Sequence, residues 1–247
     1  MRPPCTGDLS IAGLVPFSTI DWPGHLTATV FCQGCPWQCT YCHNSALISC
    51  TEPGLMTWEQ VESTLRRRVG LLDGVVFTGG EATRQCEPLA QAMEAAKRLG
   101  FQIGLHTAGA YPRSLAHLLP IMDGGWVGLD LKALPSHYEQ VVGRAHAGEK
   151  AWECLEVIQE YNAHGGTIDY EVRTTVLPGD VTFLDAYDVA KICRERGVKS
   201  FALQQARALG VRDGITVTSP GFSDHCHALA DKIEALGFEQ FTFRPAS

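Results

Sequence analysis

Thr27-Ala28-Thr29-Val30-Phe31-Cys32 is a short apolar run, and Gln33-Gly34-Cys35-Pro36-Trp37-Gln38-Cys39-Thr40-Tyr41-Cys42-His43-Asn44 follows it directly. The first segment is a candidate strand, because it is apolar, β-branched and too short for a helix. The second is then the loop at that strand's C-terminal end. Further short apolar runs are Gly74–Thr78, Gln102–His106, Gly125–Leu131, Asp169–Val176 and Ser200–Gln205. Runs that are continuous rather than alternating belong to a sheet covered on both faces. Helix-length amphipathic stretches separate them: Thr57–Val69, Glu87–Leu99, Pro112–Leu118, Lys150–Ala163 and Phe183–Arg196.

Six βα repeats of this kind predict a parallel sheet with its helices outside. Six is fewer than the eight of a closed TIM barrel, so the expected fold class is α/β, an open or partial (βα)6 barrel. A doubly wound sheet is the competing arrangement. A last helix at about Ser223–Leu236 precedes a candidate edge strand at Gln240–Phe243. Residues 1–26 read as an N-terminal extension. In it Leu9–Val15 is a candidate strand and Asp21-Trp22-Pro23-Gly24 a turn, together a hairpin leading into the barrel. Residues 27–247 then form the barrel, and residues 1–247 one domain. Thr57-Trp58-Glu59-Gln60 has the capping-box pattern, and Gly100 and Gly197 suit helix C-termini.

The chain has 247 residues and a net charge of −7, from 27 acidic and 20 basic residues. An acidic chain without a long basic run argues against a nucleic-acid or anionic-membrane partner. Arg66-Arg67-Arg68 reads as a solvated helix end. Charges, Gly or Pro interrupt every apolar run before membrane-spanning length, and Met1-Arg2-Pro3-Pro4-Cys5 lacks the apolar core of a signal peptide. The expected location is the cytoplasm, where thiols stay reduced. The 10 cysteines therefore pose a question of metal or redox chemistry rather than of disulfides.

Thiolates held close together repel unless a metal compensates. Cys35, Cys39 and Cys42 follow a strand in the loop where parallel α/β folds gather their sites. Free packed thiols are one reading. Zinc is another, and it would need Cys32 as fourth ligand. A 4Fe–4S cluster is the third. Four cysteines would close it for electron transfer, whereas three leave an iron open to a substrate, on the logic of an open catalytic metal position. Cys32 keeps the four-cysteine carrier in play.

Cys35-x-x-x-Cys39-x-Tyr41-Cys42 resembles the signature of the radical S-adenosylmethionine (radical SAM) superfamily. Thr78-Gly79-Gly80-Glu81, one βα unit later, resembles the superfamily's Gly-Gly-Glu loop. Within the superfamily, Tyr41-Cys42-His43-Asn44 and Asp130-Leu131-Lys132 resemble the glycyl-radical-enzyme activases. Ile11-Ala12-Gly13-Leu14, Phe17-Ser18-Thr19-Ile20-Asp21-Trp22-Pro23-Gly24, Glu171-Val172-Arg173-Thr174-Thr175-Val176 and Phe243-Arg244-Pro245 are most similar to the activating proteins of anaerobic ribonucleotide reductases.

The resemblance implies that Cys35, Cys39 and Cys42 bind one 4Fe–4S cluster and serve catalysis. S-adenosylmethionine would chelate the open iron through its methionine amine and carboxylate. Gly79, Gly80 and Glu81 would hold the amine, and Tyr41 would line the adenine pocket. Thr107, Asp130, Lys132 and Arg173 would face the carboxylate or ribose, with Gln205 a further contact. The implied activity is reductive cleavage to a 5′-deoxyadenosyl radical, which makes a glycyl radical on an anaerobic-ribonucleotide-reductase-like partner. A flavodoxin- or ferredoxin-type protein would supply the electron. Alternatives are a radical enzyme of the deazapurine-synthesis type, acting on a small molecule, and the four-cysteine electron carrier.

Departures from the family pattern are local. His106-Thr107-Ala108-Gly109 stands where related activases have Asp-Thr-Asn-Gly. A neutral His106 is a poor substitute for a hard oxygen ligand, which puts the monovalent-cation site of some activases in doubt. Ala82 stands where Pro is common. Asp224-His225-Cys226-His227 is metal-like in composition but reads as a solvated helix face, since adjacent positions diverge. Cys86 reads as a packed thiol close to the Gly-Gly-Glu loop, and Cys5, Cys50, Cys154 and Cys193 as structural.

Overall fold

A computed structural model describes residues 8–208, 211 and 214–246. Strand β1 (Ile11–Ser18) pairs antiparallel with β2 (Thr27–Cys32), which forms the expected hairpin. The chain then alternates: α1 (Trp58–Arg66), β3 (Gly74–Gly79), α2 (Cys86–Arg98), β4 (Gln102–Thr107), α3 (Pro112–Met122) and β5 (Trp126–Asp130). Helices α4 (Tyr138–Val142) and α5 (Ala147–Ala163) lead to β6 (Asp169–Val176). Helix α6 (Val181–Glu195), β7 (Ser200–Gln205), α7 (Phe222–Glu234) and β8 (Gln240–Arg244) complete the order.

All eight strands form one sheet in the order of the sequence, and β2 to β8 are parallel. That order decides between the two candidate architectures. A doubly wound sheet reverses direction at a switch point, whereas this one progresses one way throughout. Among the described residues no pairing joins β8 back to β1. The fold is therefore a partial (βα)6 barrel, continued by β8.

The elements follow local chemistry. The Thr57 N–H donates to Gln60 Oε1 at 2.9 Å, which satisfies a donor that the first turn of α1 leaves unpaired. Gly100 and Gly197 follow α2 and α6 with positive φ, as expected. Helix α3 runs beyond the expected end at Leu118, through Pro120 to Met122. Proline forfeits its own N–H bond, yet Leu118, Leu119 and Met122 are buried and hold that last turn. Helix α4 was not expected, because five residues are too few to display a 3.6-residue period. Among the described residues no helix is long and apolar enough to cross a membrane.

A second apolar cluster, separate from the main core, fills the N-terminal end of the barrel with Trp22, Val76 and Trp126. The Trp22 and Trp126 rings stack at 6.0 Å between centroids. Two glycines make room for this plug. A Cβ at Gly74 or Gly104 would stand 3.0 or 2.9 Å from the Trp22 ring. The Asp21–Gly24 turn therefore does more than reverse the chain: it delivers an indole into the lumen. Trp22→Ala should destabilise the protein by about 3–5 kcal/mol, the usual cost of emptying an aromatic site in a core. Anaerobic urea unfolding measures this, and a loss below about 1 kcal/mol would mean that the lumen collapses onto the gap.

Candidate functional site

Alternation along β2 separates the four cysteines near it. Cys32 continues the face of Ala28 and Val30 and is fully buried in the main core. Burial, with Glu81 second, pushes its thiol up to about 12. Cys35, Cys39 and Cys42 lie in the following loop and are partly exposed. That loop is held by backbone bonds from two sides. Gly34 and Cys35 donate to the Leu47 and Ile48 carbonyls at 2.8 and 3.1 Å. Gln38 and Thr40 donate to the Val142 and Val141 carbonyls, both at 3.0 Å. The second pair is the task of α4. Trp37 packs buried against the edge of Tyr138, 5.8 Å between centroids. The Cys42 N–H closes a tight turn on the Cys39 carbonyl at 3.2 Å.

The Gly-Gly-Glu segment docks on this loop. Gly79 has φ +119°, open to glycine at little cost, and a Cβ there would stand 2.3 Å from the Cys32 carbonyl oxygen. A Cβ on Gly80 would meet the Gly34 oxygen at 2.5 Å. The Gly80 N–H donates to Cys32 O at 3.0 Å, and the Glu81 N–H to Gly34 O at 2.9 Å. The glycines thus bring two segments of backbone together.

Glu81 is 1% exposed. Its Oε1 accepts from Thr83 N (3.2 Å), Thr83 Oγ1 (2.6 Å) and Thr107 Oγ1 (2.8 Å). Its Oε2 accepts from the Ala108 N–H at 2.8 Å. Burial raises the carboxyl's pKa, and these hydrogen bonds oppose that rise. The carboxylate joins the loop after β3 to the loop after β4 and caps the 3-10 turn Ala82–Gln85.

A charged group of residues lies at the end of β5 and beside it on β6. Asp130 Oδ1 accepts from Arg173 Nε at 2.8 Å, and its Oδ2 lies 3.3 Å from Lys132 Nζ. Burial alone would raise the Asp130 carboxyl, but Arg173 and then Lys132 hold it down at about 2. Lys132 Nζ also stands 5.4 Å from the centroid of the buried Tyr41 ring, which ties this group to the cysteine loop. Burial and the Arg173 charge hold His106 neutral, at about 3. Its Nε2 donates to the Asp21 carbonyl at 2.6 Å, so the ring anchors the turn that carries Trp22.

No site role was expected of the other residues in this region. Arg244 on β8 clasps the buried Glu171 of β6 with two bonds, at 2.9 and 3.0 Å. Thr175 Oγ1 donates to Gln204 Oε1 at 3.3 Å. Alternation places Thr175, Arg173 and Glu171 on one face of β6, so Gln204 shares their side of the sheet. Gln205 Oε1 accepts instead from the Ala246 N–H at 3.3 Å. Thr83 and Tyr138 are likewise new. Only the strand alternation at Gln204 and Gln205 was available in advance to distinguish those two.

The remaining cysteines divide. Cys154, Cys193 and Cys226 are buried. His225 and His227 are exposed on α7, turned away from Cys226. Cys50 is exposed, its thiol 3.5 Å from the Cys35 carbonyl. Cys5 lies outside the described residues. The donor atoms of Cys86, Glu87 and His117 all fall within 4.8 Å of one another.

The Radical SAM superfamily model matches residues 29–182. A Methanocaldococcus jannaschii protein, provisionally named a glycyl-radical enzyme activating enzyme, is 28% identical over 199 residues, 79% of each chain. The pyruvate formate-lyase-activating enzyme of Clostridium pasteurianum is 31% identical over 134 residues, covering 52% of this chain and 55% of the relative. The 7-carboxy-7-deazaguanine synthase of Thermococcus kodakarensis is 38% identical over 74 residues, 30% of this chain and 28% of that one. Streptococcus suis SuiB bound to S-adenosylmethionine shares the fold, with a TM-score of 0.63 at 15% identity over 87% of this chain; the chain spans 48% of SuiB. The anSMEcpe structure with bound AdoMet has a TM-score of 0.63 at 18% identity, covering 85% of this chain and 61% of that one. From the strand that precedes the cysteine loop to the first turn of α6, sequence and fold agree, and the chain belongs to the radical SAM superfamily.

Proposed function

We propose that Cys35, Cys39 and Cys42 hold a 4Fe–4S cluster with one iron left for S-adenosylmethionine, and that the protein activates a glycyl-radical enzyme. The division of the cysteines carries the first half of this reading. Three partly exposed thiols share one loop, and Cys32 is turned into the core. Zinc would need a fourth ligand, and the buried Cys32 is not offered to the loop. Loading would release the thiol protons, which burial now favours at Cys35 and Cys39. When bound, the cluster and S-adenosylmethionine supply one-electron cleavage of the sulfonium, giving methionine and a 5′-deoxyadenosyl radical.

The chain's own residues would position and shield. Gly79 and Gly80 keep the backbone beside the cysteine loop, and Glu81 Oε2 retains acceptor capacity for an ammonium. Lys132 and Arg173, oriented by Asp130, suit a carboxylate or ribose, and Tyr41 an adenine face. Thr107 acts through Glu81, and Gln204, on the Arg173 face of the sheet, is better placed for a further contact than Gln205. Hydrogen-atom abstraction needs no acid–base pair. Residues 1–247 would work as one domain, with 1–26 as its extension.

The activase half rests on the breadth of the likeness. The provisionally named activating enzyme matches 79% of the chain, whereas the deazaguanine synthase matches 30%. The gap between β8 and β1 is suited to a polypeptide loop, whose entry would exclude water. The partner would be a glycyl-radical enzyme of the anaerobic ribonucleotide reductase type. A flavodoxin or ferredoxin would be the reductant, all within the cytoplasm.

Anaerobic reconstitution should give about four irons per chain. Cys35→Ala, Cys39→Ala or Cys42→Ala should each abolish the site-differentiated cluster, and Cys32→Ala should retain it. Loss in Cys32→Ala would defeat the three-ligand reading. For Glu81, the informative comparison is Glu81→Gln against Thr107→Val. If the carboxylate holds the ammonium, Glu81→Gln weakens S-adenosylmethionine binding by about tenfold or more, a charge-assisted bond being replaced by a neutral one, and Thr107→Val has a smaller effect. Equal losses that track thermal stability would make Glu81 purely architectural. Finally, reduced protein, S-adenosylmethionine and the reductase-type partner should yield a glycyl radical on the partner. Its anaerobic electron paramagnetic resonance doublet should collapse when the target glycine is deuterated at Cα. A diamagnetic partner, with a small molecule consumed in proportion to 5′-deoxyadenosine, would point to deazapurine-type chemistry.

A further inference from the structure

Where the Glu81 turn ends, α2 begins, and its first two residues are Cys86 and Glu87. Helix α3 packs alongside. The Ser114 carbonyl lies 4.0 Å from Cys86 Sγ, and His117 sits one turn further along the same helix. The Cys86 thiol, a Glu87 carboxylate oxygen and a His117 ring nitrogen all fall within 4.8 Å of one another. Cys86 is half-buried and the other two are exposed, so the cluster opens to solvent on the outer surface of the barrel. The cysteine loop lies at the C-terminal end of the strands and shares none of these side chains.

We propose that Cys86, Glu87 and His117 bind a divalent transition-metal ion of the zinc class. One sulfur, one nitrogen and one oxygen donor form a set of intermediate softness that suits zinc or cobalt and disfavours the hard, all-oxygen preference of magnesium or calcium. At metal–ligand lengths of about 2.0–2.3 Å, tetrahedral donors stand roughly 3.3–3.8 Å apart. Donors already within 4.8 Å of one another are therefore close to that spacing. Three protein ligands leave a fourth position for water.

Charge is balanced as well. Thiolate and carboxylate together cancel a dication, so the helix end faces a neutral centre. On binding, the Cys86 proton passes to solvent and no electron is exchanged. The ion would join α2 to α3 at the point where α2 emerges from the turn capped by Glu81, stiffening the segment that presents that carboxylate.

The test uses the full-length Cys35→Ala/Cys39→Ala/Cys42→Ala variant, which removes the competing loop thiols and makes the outcome independent of any cluster. Anaerobic titration with Co2+ should reach a one-to-one endpoint, with a thiolate charge-transfer band and tetrahedral d–d absorption that Zn2+ displaces. Adding His117→Ala or Cys86→Ser should weaken binding by about a hundredfold or more, beyond the roughly ten- to hundredfold lost when only an outer partner of a ligand is removed. Melting without metal shows whether each variant is folded, and Zn2+ should raise the melting temperature of the parent alone. A cobalt spectrum that survives both substitutions, or the absence of a thiolate band in the parent, overturns the proposal.

Discussion

One buried carboxylate organises the C-terminal end of the barrel. Glu81 cannot be water-solvated, so its charge is tolerable only if the protein supplies donors, and four are in place. Two of them come from the last residue of β4 and the first of the loop after it. That loop is consequently fixed to the loop after β3, which Gly79 and Gly80 in turn press against the cysteine segment. Removing a donor leaves part of a buried charge unmatched, a far larger disturbance than losing a solvent-facing bond. Three loops from three strands thus share a single electrostatic requirement.

The lumen is layered in a corresponding way. Its N-terminal end is dry and aromatic, with Trp22 and Trp126 occupying space that Gly74 and Gly104 concede. Above that lie Asp130, Arg173 and Lys132, charged groups that satisfy one another at 2.8 and 3.3 Å. His106 links the layers, kept neutral beneath the cations and bonded to the turn that carries the indole. The apolar plug gives the charged layer a low-polarity floor, which strengthens each pairing above it.

Much of the sheet was legible in the sequence because strands covered on both faces leave continuous apolar runs. β2, β6 and β7 have the bounds those runs gave. The progressive strand order was not legible, since apolar runs state that strands exist and not which ones pair. Cysteine spacing and the Gly-Gly-Glu tripeptide located the site. The geometry then gave the glycines a role that a motif does not convey, as contacts between two backbones. What stayed hidden was mostly non-local. Glu171 and Arg244 are separated by 73 residues, and no local period relates them. Trp22 sits in a segment whose proline and glycine announce a turn and conceal an indole bound for the lumen. The five residues of α4, which hold the cysteine loop from one side, are too few to register as a helix.

The clasp between Arg244 and Glu171 has a consequence for biosynthesis. Glu171 belongs to the sixth strand and Arg244 to the eighth, so a ribosome delivers the carboxylate well before the guanidinium that neutralises it. During that interval a sheet of seven strands would carry an acidic side chain in a position only 4% exposed when complete, without the cation that makes such burial tolerable. The far wall of the sheet is therefore balanced in charge only once β8 has been added. The cysteine loop has its last supports once α4 is made, whereas the opposite wall waits for the final strand.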